Sequence, residues 1–133
     1  MATTIKNQAL DLTTRLESKV ISATRDMTAA GAPTDVAYTG VGFKPTSIQA
    51  IAIVGGLKMP SIGFADSAKI NSHLQQDPTD VWYIDDFLVW IYSSAGASQK
   101  AIVKSYDADG FTLTWTKTGS PTGTAQLRFL CLR

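Results

Sequence analysis

The stretch that most constrains the fold is residues 101–133, which read as strand, tight turn, strand, loop, strand. Residues 111–117 (FTLTWTK) alternate strictly. Phe111, Leu113 and Trp115 point one way and Thr112, Thr114 and Thr116 the other, the period of two that a strand with one dry face requires. Upstream, residues 101–106 (AIVKSY) run into Asp107-Ala108-Asp109-Gly110. A type I turn over Ala108-Asp109 leaves Gly110 in the left-handed region, where glycine has no Cβ to clash. That geometry sets Asp107 opposite Phe111, Val103 opposite Trp115 and Ser105 opposite Leu113. An antiparallel sheet with one wet face follows; no catalytic chemistry does.

The preceding residues continue the strand pattern. Residues 20–27, 35–39, 47–54 and 59–65 are short strand-like runs. They are separated by Gly31 and Pro33, by Gly40-Val41-Gly42 with Pro45, and by Gly55-Gly56, each of which punctuates backbone structure. Residues 68–80 (AKINSHLQQDPTD) are polar and read as one strand end and a surface loop. Residues 81–93 (VWYIDDFLVWIYS) read as a further strand, and 94–98 as a turn. Eight or nine short strands at about 8–12-residue spacing predict an all-β sandwich or barrel.

Residues 1–19 differ, with no aromatic residue, glycine or proline. Ile5, Ala9, Leu12 and Leu16 form a helical stripe, while Leu10, Leu12 and Leu16 suit an extended strand equally well. This segment is expected to be an N-terminal arm, with residues 20–133 forming the sandwich domain. Residues 50–54 (AIAIV) and 87–92 (FLVWIY) are apolar on both faces. In a two-layer sandwich the outer face meets water, so continuous apolar runs require a second cover. The arm, a long loop or another subunit could supply it. Another subunit is the reading preferred, because so much apolar surface is unusual on a soluble monomer.

One resemblance adds to this. The string Asp109-Gly110-Phe111-Thr112-Leu113-Thr114-Trp115, a Gly/Pro/Thr loop and the closing strand Leu127-Arg128-Phe129-Leu130-Cys131-Leu132 resemble a module of tailed-bacteriophage virion proteins. Gly42-Phe43-Lys44-Pro45 and Ser61-Ile62-Gly63-Phe64-Ala65-Asp66 fit it as well, so the likeness runs from about Tyr38 to Arg133. It implies a jelly-roll-type antiparallel β-sandwich in the virion, on the capsid surface, assembled in the bacterial host cytoplasm. The role implied is capsid decoration (cement), with the major capsid protein as partner; the rival is a tail-fibre or receptor-binding module recognising host-surface carbohydrate. A homo-oligomer, dimer or trimer, is expected, with no cofactor. The expected partner contacts are Ile5, Leu10, Leu12 and Leu16 of the arm, and Phe87, Val89, Trp90 and Tyr92.

Charge narrows the function further. Twelve basic and 11 acidic side chains leave a net charge of +1 and no basic stripe, which argues against a nucleic-acid partner. No apolar run reaches the roughly 18 residues of a membrane-spanning helix. The first residues lack the charged-then-apolar layout of a secretory signal, so export by that route is not expected. The single cysteine, Cys131, excludes an internal disulfide and shares a face with Leu127 and Phe129, as a small core residue would.

The residues that could carry catalysis each have a plainer reading. His73, the one histidine, sits in a polar stretch without ligand-spaced partners, so it reads as a solvated side chain. Asp85 and Asp86 are adjacent, so on a strand they face opposite ways and cannot act jointly on one sugar oxygen. They read as a jog between two short strands. Asp107–Gly110 opens like a calcium loop, but the twelfth position is Thr118 where a bidentate Glu is needed. Trp82, Trp90 and Tyr92 share strand parity and could stack a sugar, though aromatics at such spacing are usually core. A non-enzymatic protein is expected.

Overall fold

The computed structural model describes residues 16–29, 33–56, 59–68, 70–77 and 80–84 (these two stretches by backbone only) and 86–133. Among these, ten strands form and every pairing is antiparallel. They are β1 (Ser18–Asp26), β2 (Thr34–Thr39), β3 (Ser47–Val54), β4 (Ser61–Asp66) and β5 (Ile70–Asp77) in the first half. The second half holds β6 (Asp80–Ile84), β7 (Val89–Ser94), β8 (Ala97–Asp107), β9 (Gly110–Thr118) and β10 (Thr124–Leu132). One sheet has the order β1-β10-β3-β4-β5-β6 and the other β2-β9-β8-β7. The fold is therefore all-β, a sandwich of a six-stranded and a four-stranded sheet.

Alternation fills the space between the sheets. Ile48, Ala50, Ala52 and Val54 of β3 and Ala125, Leu127, Phe129 and Cys131 of β10 face Phe111, Leu113 and Trp115 of β9, all buried. Complete burial of each large member contributes roughly 1.5–3 kcal/mol. Three rings tie the layers together. Tyr38 of β2 stacks on Phe111 at 5.2 Å between centroids, and Phe129 of the opposite sheet lies 4.9 Å from Tyr38 and 5.0 Å from Phe111. The Trp115 indole N–H donates to the Tyr38 hydroxyl at 3.1 Å, so neither buried polar atom is left unpaired.

Several expectations need correction. The turn at Ala108-Asp109 is a two-residue loop: Asp107 pairs with Gly110 and Tyr106 with Phe111. Val103 is therefore opposite Leu113, and Ala101 opposite Trp115. The extra residue expected at the turn sits instead at a bulge between Val103 and Ser105. One added residue reverses strand parity. It brings Tyr106 to the core side and leaves Ser105 opposite Thr112. The polar residues 70–77 form a full strand, because backbone pairing on both sides with β4 and β6 supplies what the side chains do not announce. The apolar run 81–93 is two strands, β6 and β7, that lie in different sheets. β8 begins at Ala97, leaving only Ala95 and Gly96 (φ 74) in the preceding turn.

Candidate interaction surfaces

The two outer faces have opposite chemistry. On the four-stranded sheet, Thr112, Thr114 and Thr116 of β9 lie beside Lys100, Ile102 and Lys104 of β8 and Asp35 of β2. Asp35 pairs with Lys104 and accepts from the Thr114 hydroxyl at 2.7 Å. The Lys104 ammonium, then Thr114, hold its carboxyl below the usual range. This face is built to be wet.

The six-stranded sheet presents apolar side chains outward. Val20 is 58% exposed, Ile51 46% and Phe64 51%, with Ile53, Ile62 and Leu130 half-buried around them. Cross-strand register assembles them, since Val20, Leu130, Gln49 and Phe64 are consecutive neighbours across four strands. Arg128, Ile51 and Ile62 form the adjoining row. A groove of about 320 Å³ opens beside Gln49, Phe64 and Leu132. The alternation of each strand is normal; what is unusual is that these aliphatic and aromatic side chains gather on the solvent side of β3 and β4, beside polar Ser22, Thr24, Gln126 and Arg128.

A second patch lies at the rim of the four-stranded sheet. Trp90 is 6.1 Å from Phe87 and 5.5 Å from Tyr92 between centroids. Lys100, the cross-strand partner of Trp90, places Nζ 4.1 Å from the Trp90 ring and 4.7 Å from that of Phe87. A cation over an aromatic face is an attractive arrangement. It also covers that face, so a flat sugar ring would have to displace Lys100 or use the other side. The Trp90 backbone N–H, on the free edge of β7, is held by the Ser61 hydroxyl of β4 at 3.0 Å. The Trp90 indole N–H is buried without a hydrogen-bond partner among the described residues.

Between the sheet ends, a cleft of about 360 Å³ is lined by Asp66, Ser67, Ala68, Lys104 and Tyr106. Burial, with Asp66 and Cys131 adding, pushes the Tyr106 phenol up to about 12. Its hydroxyl is also buried, without a hydrogen-bond partner among the described residues.

The structure brings some of the expected contact residues together and separates others. Phe87, Trp90 and Tyr92 form the rim patch. Val89, expected beside them, is 0% exposed in the core, because strand parity puts it on the opposite side from Trp90. Leu16 is 70% exposed just before β1, while Ile5, Leu10 and Leu12 lie outside the described residues. Of the residues weighed for chemistry, Cys131 is in the core, its thiol pushed up to about 11 by burial. Asp86 is exposed in the break between β6 and β7; Asp85 lies outside the described residues. His73 is a mid-strand position of β5. Asp109 acts as a clamp, accepting the backbone N–H of Gly42 at 2.6 Å and of Gly40 at 3.1 Å. Among the described residues no three His, Cys, Asp or Glu side chains cluster as a metal site.

Sequence reasoning missed Val20, Phe64 and Leu130 as surface groups, and Lys100 as the cap on Trp90. Parity alone could have placed Phe64 outward, but not next to Leu130 or Val20, which are distant in the chain. No protein-family description matches the chain, and no curated protein or solved structure matches it either.

Proposed function

We propose that this protein is a bacteriophage virion structural protein. Its role in this reading is capsid decoration: a homo-oligomer seated on the major capsid protein lattice at the capsid surface, assembled in the host cytoplasm. The mechanism is burial of apolar surface without chemistry. A contact of about 1,600 Å² in total, repeated across the lattice, would stabilise the head. One observation carries the reading. The six-stranded sheet turns Val20, Ile51 and Phe64 to solvent, whereas the β8–β9 part of the opposite face is mainly threonine and charge around Ile102. A protein working alone gains nothing from that asymmetry, and one working in an assembly needs it. The resemblance of the hairpin and closing strand to virion modules supports the same reading.

Two finer assignments belong to it. The first is a jelly-roll-type wrap, supported by β10 lying between β1 and β3 while β9 lies beside β2. Its middle strands run as meanders, β3 to β6 in one sheet and β7 to β9 in the other. The second is a docking arm ending before β1: of the expected arm 1–19, Ser18 and Lys19 belong to β1, paired with Leu132 and Cys131. Leu16 leads into β1 fully in reach of a partner, and Glu17 is anchored to Arg133 by two backbone hydrogen bonds of 3.0 and 2.9 Å. Removal of residues 1–15 should leave melting unchanged and reduce particle binding.

Copy number per particle tests the function. Hundreds of copies, together with co-sedimentation of purified protein with empty capsids, are expected. A few copies at the tail would instead favour the adhesion reading, in which Phe87, Trp90 and Tyr92 meet host glycan. The observation favouring that second reading is the cluster of half-buried rings, Phe87, Trp90 and Tyr92, at the sheet rim. Binding to a glycan array that is lost in Trp90→Ala would decide for it.

A further inference from the structure

The apolar outer face of the six-stranded sheet is arranged so that it complements itself. In strand register its rows are Ser18–Leu132–Ser47–Asp66, then Val20–Leu130–Gln49–Phe64, then Ser22–Arg128–Ile51–Ile62. Across these three rows and four strands two charged groups stand, Arg128 and Asp66, opposite in sign. Arg128 is on β10 in the third row and Asp66 on β4 in the first. The midpoint between them is β3 in the second row, which is Gln49. We propose that this face binds a second copy of the chain, the two related by a two-fold axis passing over Gln49.

An axis lying in the interface over Gln49, perpendicular to the Arg128–Asp66 diagonal, exchanges the two positions. Each Arg128 then meets Asp66 of the other copy, twice per dimer, with the Val20, Leu130, Ile51 and Phe64 surfaces closed between them. Isologous contacts demand this kind of self-matching patch. The opposite-sign pair sets the register of what is otherwise a non-directional apolar contact.

This inference rests on the association reading above and names the partner for one face, so its test is done in solution, without particles. Sedimentation velocity of the full chain is expected to give a dimer. Phe64→Lys should give a monomer whose melting, compared at concentrations too low for association, is unchanged, because Phe64 is half-exposed and outside the core. Arg128→Glu and Asp66→Lys should each weaken dimerisation tenfold or more, and the double variant should recover it. Gln49→Cys, beside the axis, should be joined into a covalent dimer by a short bis-maleimide linker, since stacked sheets lie about 10 Å apart; Thr116→Cys, on the other sheet's outer face, should not. A wild-type monomer at high concentration would overturn the proposal. So would a dimer indifferent to Phe64→Lys, or a dimer that appears only after removal of residues 1–15, which would make the arm the cover. If the wild type is monomeric and Phe64→Lys abolishes capsid binding, the face belongs to the lattice: this inference fails while the decoration reading stands.

Discussion

The guanidinium of Arg25 donates through Nε to the side-chain oxygen of Gln99 at 2.8 Å, joining β1 to β8 across the two sheets. Gln99 is fully buried, and its amide donates to the carbonyls of Met27 at 2.8 Å and Asp26 at 3.2 Å. Arg25 also lies over Trp115, 5.0 Å from the ring centroid. One amide therefore satisfies a strand end and a half-buried cation together. Gln99→Leu should cost about 1–3 kcal/mol, since it strands partners in a dry site. Urea unfolding measures it, and a loss below half a kilocalorie per mole would mean that water replaces the amide.

Gly110 has φ 150, and a Cβ built on it would stand 1.9 Å from the Tyr38 carbonyl oxygen. That wall is backbone of the paired strand β2, which cannot move without breaking the edge pairing. Gly110→Val should destabilise by about 2 kcal/mol or more, combining conformational strain with the clash. An unchanged melting temperature would show that β2 can leave its place.

Acid should weaken the fold. Hydrogen bonds from the Gly42 and Gly40 backbone hold the Asp109 carboxyl below its ordinary value of 3.8. Thr112 and Ser105 do the same for Asp107, Lys104 and Thr114 for Asp35, and Thr28 for Asp26. Because the folded values are depressed, the unfolded chain takes up these protons first as pH falls. The stabilisation is complete above the unfolded values and is lost as pH drops below them through the folded ones. Melting temperature recorded against pH should decline over that window, and less steeply in Asp109→Asn.

Two phenylalanines of one sheet, Phe129 on β10 and Phe64 on β4, should behave oppositely. Phe129, fully buried among rings of both sheets, should lose about 3–5 kcal/mol as alanine. Phe64, half-exposed, should change monomer stability within about 0.5 kcal/mol. Denaturant titrations of both variants, performed at concentrations too low for association, give the comparison.

Cys131 should resist thiol reagents while the protein is folded. It is fully buried, and burial pushes its thiol up to about 11, so little thiolate exists at neutral pH. Reaction with a disulfide reagent should proceed only at the rate of unfolding and become immediate in denaturant. Rapid labelling of the native chain would place Cys131 outside the core.

Local chemistry by itself determined most of the strands, the hairpin at Asp107–Gly110 and the inward set Phe111, Leu113, Trp115, Leu127, Phe129 and Cys131. These follow from alternation and turn residues, both of which act over a few neighbouring positions. The double-apolar character of β3 was also readable, and it pointed to a covered outer face. Only the tertiary structure decided which strands stand side by side. That placed Val20, Leu130 and Phe64 in one row, put β6 and β7 in different sheets, and set Lys100 over Trp90. It also moved the irregularity of the hairpin from the turn to Val103–Ser105, where a bulge lets Tyr106 reach the core. The physical reason is that pairing and register are settled by how two sheets close over one shared interior. Residues tens of positions apart make that fit, and no short window of sequence contains both halves of it.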